Sequence, residues 1–118
     1  MANETATSIN QFQQLRNRQN DLYRKNTAAM IAAAKANDNA TVDKLRAERV
    51  KLSANDRLIL RAELAFQASA LAQSEAEKRL VAQTQRANGM VKSIKTIAHV
   101  LESAGKMASI LTRLIALL

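Results

Sequence analysis

The sequence of 118 residues contains no cysteine, no proline and no tryptophan. Without cysteine, the chain cannot form a disulfide, a thiolate nucleophile or a thiol-ligated metal site, and it suits either redox compartment. Because proline is absent and glycine occurs only twice, nothing in the sequence forces a long helix to break. Two phenylalanines and one tyrosine are too few for a thick globular core, which favours elongated helices packed through small side chains.

Helix-forming residues dominate what is present. Hydrophobic residues make up 47% of the chain, which excludes a wholly disordered protein, and much of that fraction is alanine. Strand-favouring residues do not cluster anywhere. The sequence therefore predicts an all-α chain of one domain, an elongated helical hairpin or three-helix, coiled-coil-like bundle that forms oligomers.

The first predicted helix covers about residues 9–36. Ser8 and Gln11 fit a capping box at its start, which leaves residues 1–8 as a flexible polar N-terminus. Gln19 and Asn26 lie on its apolar face. A polar residue in such a face can set the register of a helical pair, or the face can simply be half-exposed. The run "AKANDNATVD" ends this helix, with Asn39 or Thr41 as the next cap.

The second predicted segment covers about residues 42–87. Since it has no glycine or proline, the pattern favours one unbroken helix; the alternative is a break near residue 53, where Ser53 and Asp56 form another possible capping box. Asn88 and Gly89 provide a C-terminal stop, because glycine takes the left-handed cap conformation easily. Residues 9–118 are thus predicted to form a single helical domain.

The third predicted helix, residues 90–118, shows the most regular pattern. Apolar residues recur in steps of three and four, as expected of the core of a coiled coil. We call this row the heptad seam: Ile94, Ile97, Leu101, Ala104, Ala108, Leu111, Ile115 and Leu118. On the helical wheel the basic residues lie on the opposite side, as candidates for contact with anions or lipid: Lys92, Lys95, Lys106 and Arg113.

No set of residues is arranged for catalysis. His99 is the only histidine, and its spacing to Glu102 reverses the Glu-x-x-His order of di-iron bundles. Glu75 and Glu77 point to different sides of a helix, so they cannot act together from one helix face. Two glycines sixteen residues apart cannot form a phosphate-binding loop. We therefore expect no enzyme, no cofactor, no metal and no small-molecule substrate.

The net charge of +8 is unevenly distributed. Residues 16–61 carry eleven basic and five acidic side chains. Residues 86–118 carry five basic side chains and one acidic side chain. Such charge attracts phosphate, acidic protein or anionic lipid. Nucleic acid is the less favoured partner, because aromatic residues for base stacking are nearly absent.

These patterns favour a non-enzymatic, self-assembling helical protein that oligomerises through the heptad seam or binds a helical partner. The first alternative is a membrane-active protein that uses the amphipathic C-terminal helix to form pores or bind lipid surfaces. The second is a non-specific nucleic-acid binder. The N-terminus lacks the basic and apolar segments of a Sec-type signal peptide, so we expect a cytoplasmic protein or one exported by a signal-independent route.

Overall fold

Four α-helices account for most of residues 4–118, the part of the chain that the computed structural model of the protein describes. They are α1 (Ala6–Lys35), α2 (Asn39–Ala68), α3 (Gln73–Lys92) and α4 (Ile97–Leu117). These residues include no strand, and the bundle measures 53 × 21 × 18 Å. The prediction of an elongated, all-α bundle is confirmed, whereas the prediction of three helices is wrong.

The helices run alternately up and down the long axis. α1 packs against α2 and α3, α4 packs against α2 and α3, and α4 also contacts α1 across the core. Contacts at one end of the bundle fix these directions. The Thr5 hydroxyl donates to Glu77 at 2.6 Å, and the Ser69 hydroxyl donates to the main-chain oxygen of Leu118 at 2.8 Å. The starts of α1 and α3 and the ends of α2 and α4 therefore meet there.

Helix α1 begins earlier than the sequence predicts. Thr5 is its N-cap and Ser8 completes the capping box, so the predicted pair of Ser8 and Gln11 is wrong. Ser8 is buried, and residues 6–8 belong to the helix rather than to a flexible N-terminus. Residues 1–3 of that predicted segment lie outside the described residues. The Thr5 hydroxyl and then the Gln73 amide lower the pKa of Glu77 by stabilising its carboxylate.

The turn between α1 and α2 is short because Asn37 takes the left-handed conformation, with φ of 58°. Asparagine tolerates this region better than most residues. The Asp38 amide then donates to the Ala33 carbonyl at 2.9 Å, which closes the helix end. Asp38, not Asn39 or Thr41, caps α2. Hydrogen bonds from the Thr41 hydroxyl and amide lower the pKa of Asp38, so this cap weakens as the pH falls through that lowered pKa.

The predicted helix over 42–87 is two helices, and the break lies at residues 69–72 rather than near residue 53. Ser53 and Asp56 lie inside α2. Ser69 is buried with extended backbone angles, and its hydroxyl accepts a hydrogen bond from the Leu71 amide at 3.2 Å. Such a local bond offers the backbone an alternative to the helix. The chain therefore reverses without glycine or proline.

The last predicted helix also starts in the wrong place. Helix α3 continues through Asn88 and Gly89 to Lys92, so these residues do not stop it. The turn lies at residues 93–96, where the Ser93 hydroxyl donates to the Met90 carbonyl at 2.7 Å. Thr96 caps α4 by accepting from the His99 amide at 3.2 Å.

The core follows heptad spacing in the two long helices. Leu15 and Leu22 of α1 are fully buried, as is Leu52 of α2. Phe12 and Phe66 meet edge to face, with ring centroids 5.9 Å apart. A second, smaller cluster of Ala29, Ala33, Leu45 and Val100 lies nearer the α1–α2 turn.

Candidate interaction surface on helix α4

Two polar residues of α2 hold α4 at its middle. The amide of Ala104 donates to the Glu48 carboxylate at 2.8 Å, and the Asn55 side chain donates to the Ala104 carbonyl at 3.0 Å. Both side chains are buried, with Glu48 3% exposed and Asn55 2% exposed. Because residues 48 and 55 are one heptad apart, this pair of bonds fixes the axial position and the rotation of α4 against α2.

Asn55→Ala should lower the free energy of unfolding by about 1–3 kcal/mol, because it removes a buried hydrogen bond and leaves a cavity. Urea unfolding followed by circular dichroism measures the change. Asn10→Ala is the matched control: Asn10 is exposed on α1, so its replacement should leave stability unchanged or slightly raised. Equal effects of the two substitutions would show that the Asn55 bond does not position α4.

The structure also buries the polar residues predicted to set register. Gln19 donates its side-chain amide to the Leu52 carbonyl, and Asn26 donates to the Leu45 carbonyl at 2.9 Å. The alternative of a half-exposed face is wrong at these two positions, since both are at most 1% exposed. Arg49 reaches Asn26 Oδ1 at 3.3 Å and stacks on the Tyr23 ring, with its guanidinium 5.1 Å from the ring centroid.

The predicted heptad seam faces the bundle only in part. Ala104 and Leu111 are buried, while the other six members are half-buried: Ile94, Ile97, Leu101, Ala108, Ile115 and Leu118. Val100, Met107 and Leu114 lie on the buried side of α4 instead, so the inner face is turned by about 60° from the predicted one. Ile94 precedes α4 and belongs to the turn.

The basic residues predicted to meet an anion or lipid are all exposed, but they do not share one helix. Lys92 ends α3 and Lys95 lies in the following turn, whereas Lys106 and Arg113 lie on α4. The Lys106 ammonium is 3.5 Å from the Glu102 carboxylate. The turn thus separates the four cations into two groups.

A groove of about 570 Å³ crosses the outward side of α4. Gly105 lies in it, and a Cβ placed on Gly105 would meet nothing within 4 Å. Apolar walls come from Met90 of α3 and from Leu101 and Ile110 of α4, and the lining includes the cations Lys51, Arg86 and Lys106. Sequence reasoning missed this groove, because side chains from three different helices build it.

Small side chains continue the groove along the outward face of α4. We call this set the small-residue row, and all five members are exposed: Ala98, Gly105, Ser109, Thr112 and Ala116. Half-buried Leu101 and Ile115 lie along one edge of the row. Along the other edge lie the exposed charged residues of α4, Glu102, Lys106 and Arg113, with Ile110 and Leu117 beyond them. A second helix can therefore approach the α4 backbone closely, with apolar surface on one side and charged side chains on the other.

His99 has a structural role at the start of α4. Its Nδ1 accepts a hydrogen bond from the Lys95 amide at 3.1 Å. Among residues 4–118, no group of three or more acidic, histidine or cysteine side chains is arranged to hold a metal ion. Within the same range, no helix combines the length and the apolar character needed to cross a membrane.

Compared with known proteins, the chain gives no significant match to a family model, to a curated protein or to a solved structure.

Proposed function

We propose that the protein is a non-enzymatic helical interaction protein that self-assembles through the outward face of α4. The observation that carries the proposal is the exposed small-residue row, with the apolar Leu101 and Ile115 along one edge and charged residues along the other. Small side chains let two helix backbones come close, and burial of the apolar edge supplies the driving force. The predicted interface through the whole heptad seam is thus replaced by one in which only Leu101 and Ile115 of that seam take part.

The charges on this face support an antiparallel pair with two-fold symmetry. If the axis passes between Met107 and Ala108, Glu102 lies opposite Arg113 of a second copy, and the same pair forms twice. Glu102 and Arg113 lie on the same side of the outward face, as such pairing requires. Opposite charges at the rim of an interface fix register more than they add affinity.

Other charges on the same face oppose association. Three cations line the groove against the two acids Glu48 and Glu102, and each copy carries a net charge of +8; the cations are Lys51, Arg86 and Lys106. Salt screens repulsion between exposed charges but hardly affects the burial of apolar surface at moderate concentrations. Self-association should therefore strengthen as NaCl rises from about 0.05 M to about 0.5 M, opposite to the behaviour of a complex held by charge attraction.

Gly105→Gln should weaken dimerisation at least about tenfold, because a long side chain then fills the surface where the second helix packs. Sedimentation equilibrium in high salt measures the dimer dissociation constant. Gly89→Gln is a matched control, since Gly89 is also helical and exposed with nothing within 4 Å of an added Cβ. Both substitutions should raise stability by about 0.5–1 kcal/mol, because glycine is unfavourable inside a helix, but only the first should change assembly.

A charge exchange tests the register. Glu102→Arg should weaken the dimer, and the double variant Glu102→Arg with Arg113→Glu should restore it. A protein that stays monomeric at every salt and protein concentration would refute self-assembly. If Gly105→Gln and Gly89→Gln changed the dimer dissociation constant equally, the interface would lie elsewhere.

Membrane activity is the second candidate function. The observation that favours it is the composition of α4, the most apolar of the four helices, whose charged residues are all exposed on its outward side. In the bundle its apolar residues Met107, Leu111 and Leu114 are fully buried, so membrane insertion requires α4 to leave the core. Dye release from anionic but not from neutral vesicles would support this function, and no release from either would remove it.

A further inference from the structure

Helix α2 carries apolar residues on its solvent side as well as on its core side. Val50 is 71% exposed, Leu60 is 57% exposed and Leu64 is 54% exposed. On the helical wheel these residues share one face with the exposed Ser53, Ala54, Arg57 and Arg61, and we call the seven together the α2 stripe. It lies opposite the buried row of Leu52, Ile59 and Phe66, so α2 is apolar on both sides.

The α2 stripe holds a concentration of exposed apolar surface. Five large hydrophobic side chains are exposed in the described part of the chain, and three of them belong to the stripe. A depression of about 280 Å³ lies at Val50, Ser53, Ala54 and Arg57. Exposed apolar residues that recur at helical spacing are typical of a surface that binds another helix.

The charge of the α2 stripe is purely basic. Arg57 and Arg61 have no ion-pair partner among residues 4–118. The nearest acids along α2 are engaged elsewhere, because Glu63 pairs with Arg16 and Asp56 accepts a hydrogen bond from the Tyr23 hydroxyl at 3.1 Å. Two free arginines four residues apart therefore project beside the apolar side chains.

This pattern disfavours a second copy of the same chain as the occupant. In the antiparallel register that sets Val50 opposite Leu64 of a second copy, Arg57 lies opposite the second Arg57. Like charges at the centre of an interface oppose association. The outward face of α4 differs, since it carries both Glu102 and Arg113.

We propose that the α2 stripe is the docking surface for an amphipathic acidic helix of a different protein. Its apolar side chains cover Val50, Leu60 and Leu64, and two acidic residues four positions apart reach Arg57 and Arg61. The stripe from residue 50 to residue 64 is about 21 Å long, so four turns of the partner helix cover it. This inference rests on α2 alone and does not require self-assembly through α4.

The probe is a synthetic helical peptide with leucines at heptad spacing and two glutamates four residues apart on the same face. Titration into the ¹⁵N-labelled protein should shift amide signals of residues 50–64 and leave those of the outward face of α4 unchanged. Arg57→Glu with Arg61→Glu should raise the dissociation constant at least about tenfold. A peptide with lysines in place of the two glutamates should bind this double variant and not the wild type.

Matched controls separate docking from general charge attraction. Arg24→Glu with Lys35→Glu makes the same change of charge at exposed positions on α1 and should leave binding unchanged. Leu60→Ser with Leu64→Ser keeps both arginines and should still weaken binding. The same titration in the Gly105→Gln background should give the wild-type result, whatever the state of self-assembly.

Two outcomes would overturn the proposal. One is a peptide affinity that falls equally in the stripe and control charge variants, since binding would then follow net charge alone. The other is flotation with phosphatidylserine-rich vesicles that depends on Arg57 and Arg61, without any binding of the acidic peptide. That result would assign the α2 stripe to a membrane surface.

Discussion

Leu111→Asp should leave the protein unfolded at 25 °C in plain buffer. Leu111 is 0% exposed in the core cluster, so the substitution removes a buried side chain and places an unpaired carboxylate there. The lost packing costs about 2–5 kcal/mol, and burial of the charge adds several more. Since small domains have about 5–15 kcal/mol of stability, the sum removes most or all of it. Circular dichroism and the dispersion of amide signals measure the loss.

Leu101→Asp makes the same chemical change ten residues earlier and should be tolerated. Leu101 is half-buried at the wall of the α4 groove, where Lys51 and Lys106 lie nearby and water reaches the new carboxylate. We expect a folded protein with a melting temperature lowered by several degrees. A folded Leu111→Asp variant and an unfolded Leu101→Asp variant would mean that α4 is rotated by about 60°, as the heptad seam implied.

The sequence of α4 by itself is compatible with either rotation of the helix. The row from Ile97 to Leu118 and the row through Val100, Met107 and Leu114 are both apolar and adjacent on the wheel. Periodicity alone cannot choose between them, because either row gives a good amphipathic helix. The choice is made by α2, where the buried Glu48 and Asn55 bind the two sides of the Ala104 peptide.

Helix boundaries were predictable only where strong turn residues lie. Asn37 and Asp38 end α1 and start α2 within a few residues of the prediction, since asparagine and aspartate favour turns and caps. The reversal at residues 69–72 carries no such signal. Ser69 ends α2 because its hydroxyl accepts a hydrogen bond from the Leu71 amide and donates one to the Leu118 main-chain oxygen. Leu118 lies 49 residues further along the chain.

The candidate surfaces were predictable to different degrees. The cations Lys106 and Arg113 could be placed on the outer side of α4 from spacing alone. The groove over Gly105 could not, because Lys51 and Arg86 come from two other helices. The α2 stripe was hidden for another reason: Val50, Leu60 and Leu64 fit no single apolar row until the inner face of α2 is known.

Phe66→Ala should cost about 3–5 kcal/mol of unfolding free energy, the largest loss expected from a truncation to alanine here. Phe66 is 0% exposed and meets Phe12 at an interplanar angle of 81°. It lies three residues before Ser69, so its ring anchors the end of α2 where the chain reverses. Urea unfolding measures the loss, and Phe66→Leu, which keeps most of the volume, should cost much less. The double variant Phe12→Leu with Phe66→Leu should cost about 0.5–1.5 kcal/mol less than the sum of the two single changes, because each single change already removes the contact between the rings. Strict additivity would show that the two rings stabilise the bundle independently, and that filling volume at the end of α2 matters more than their edge-to-face contact.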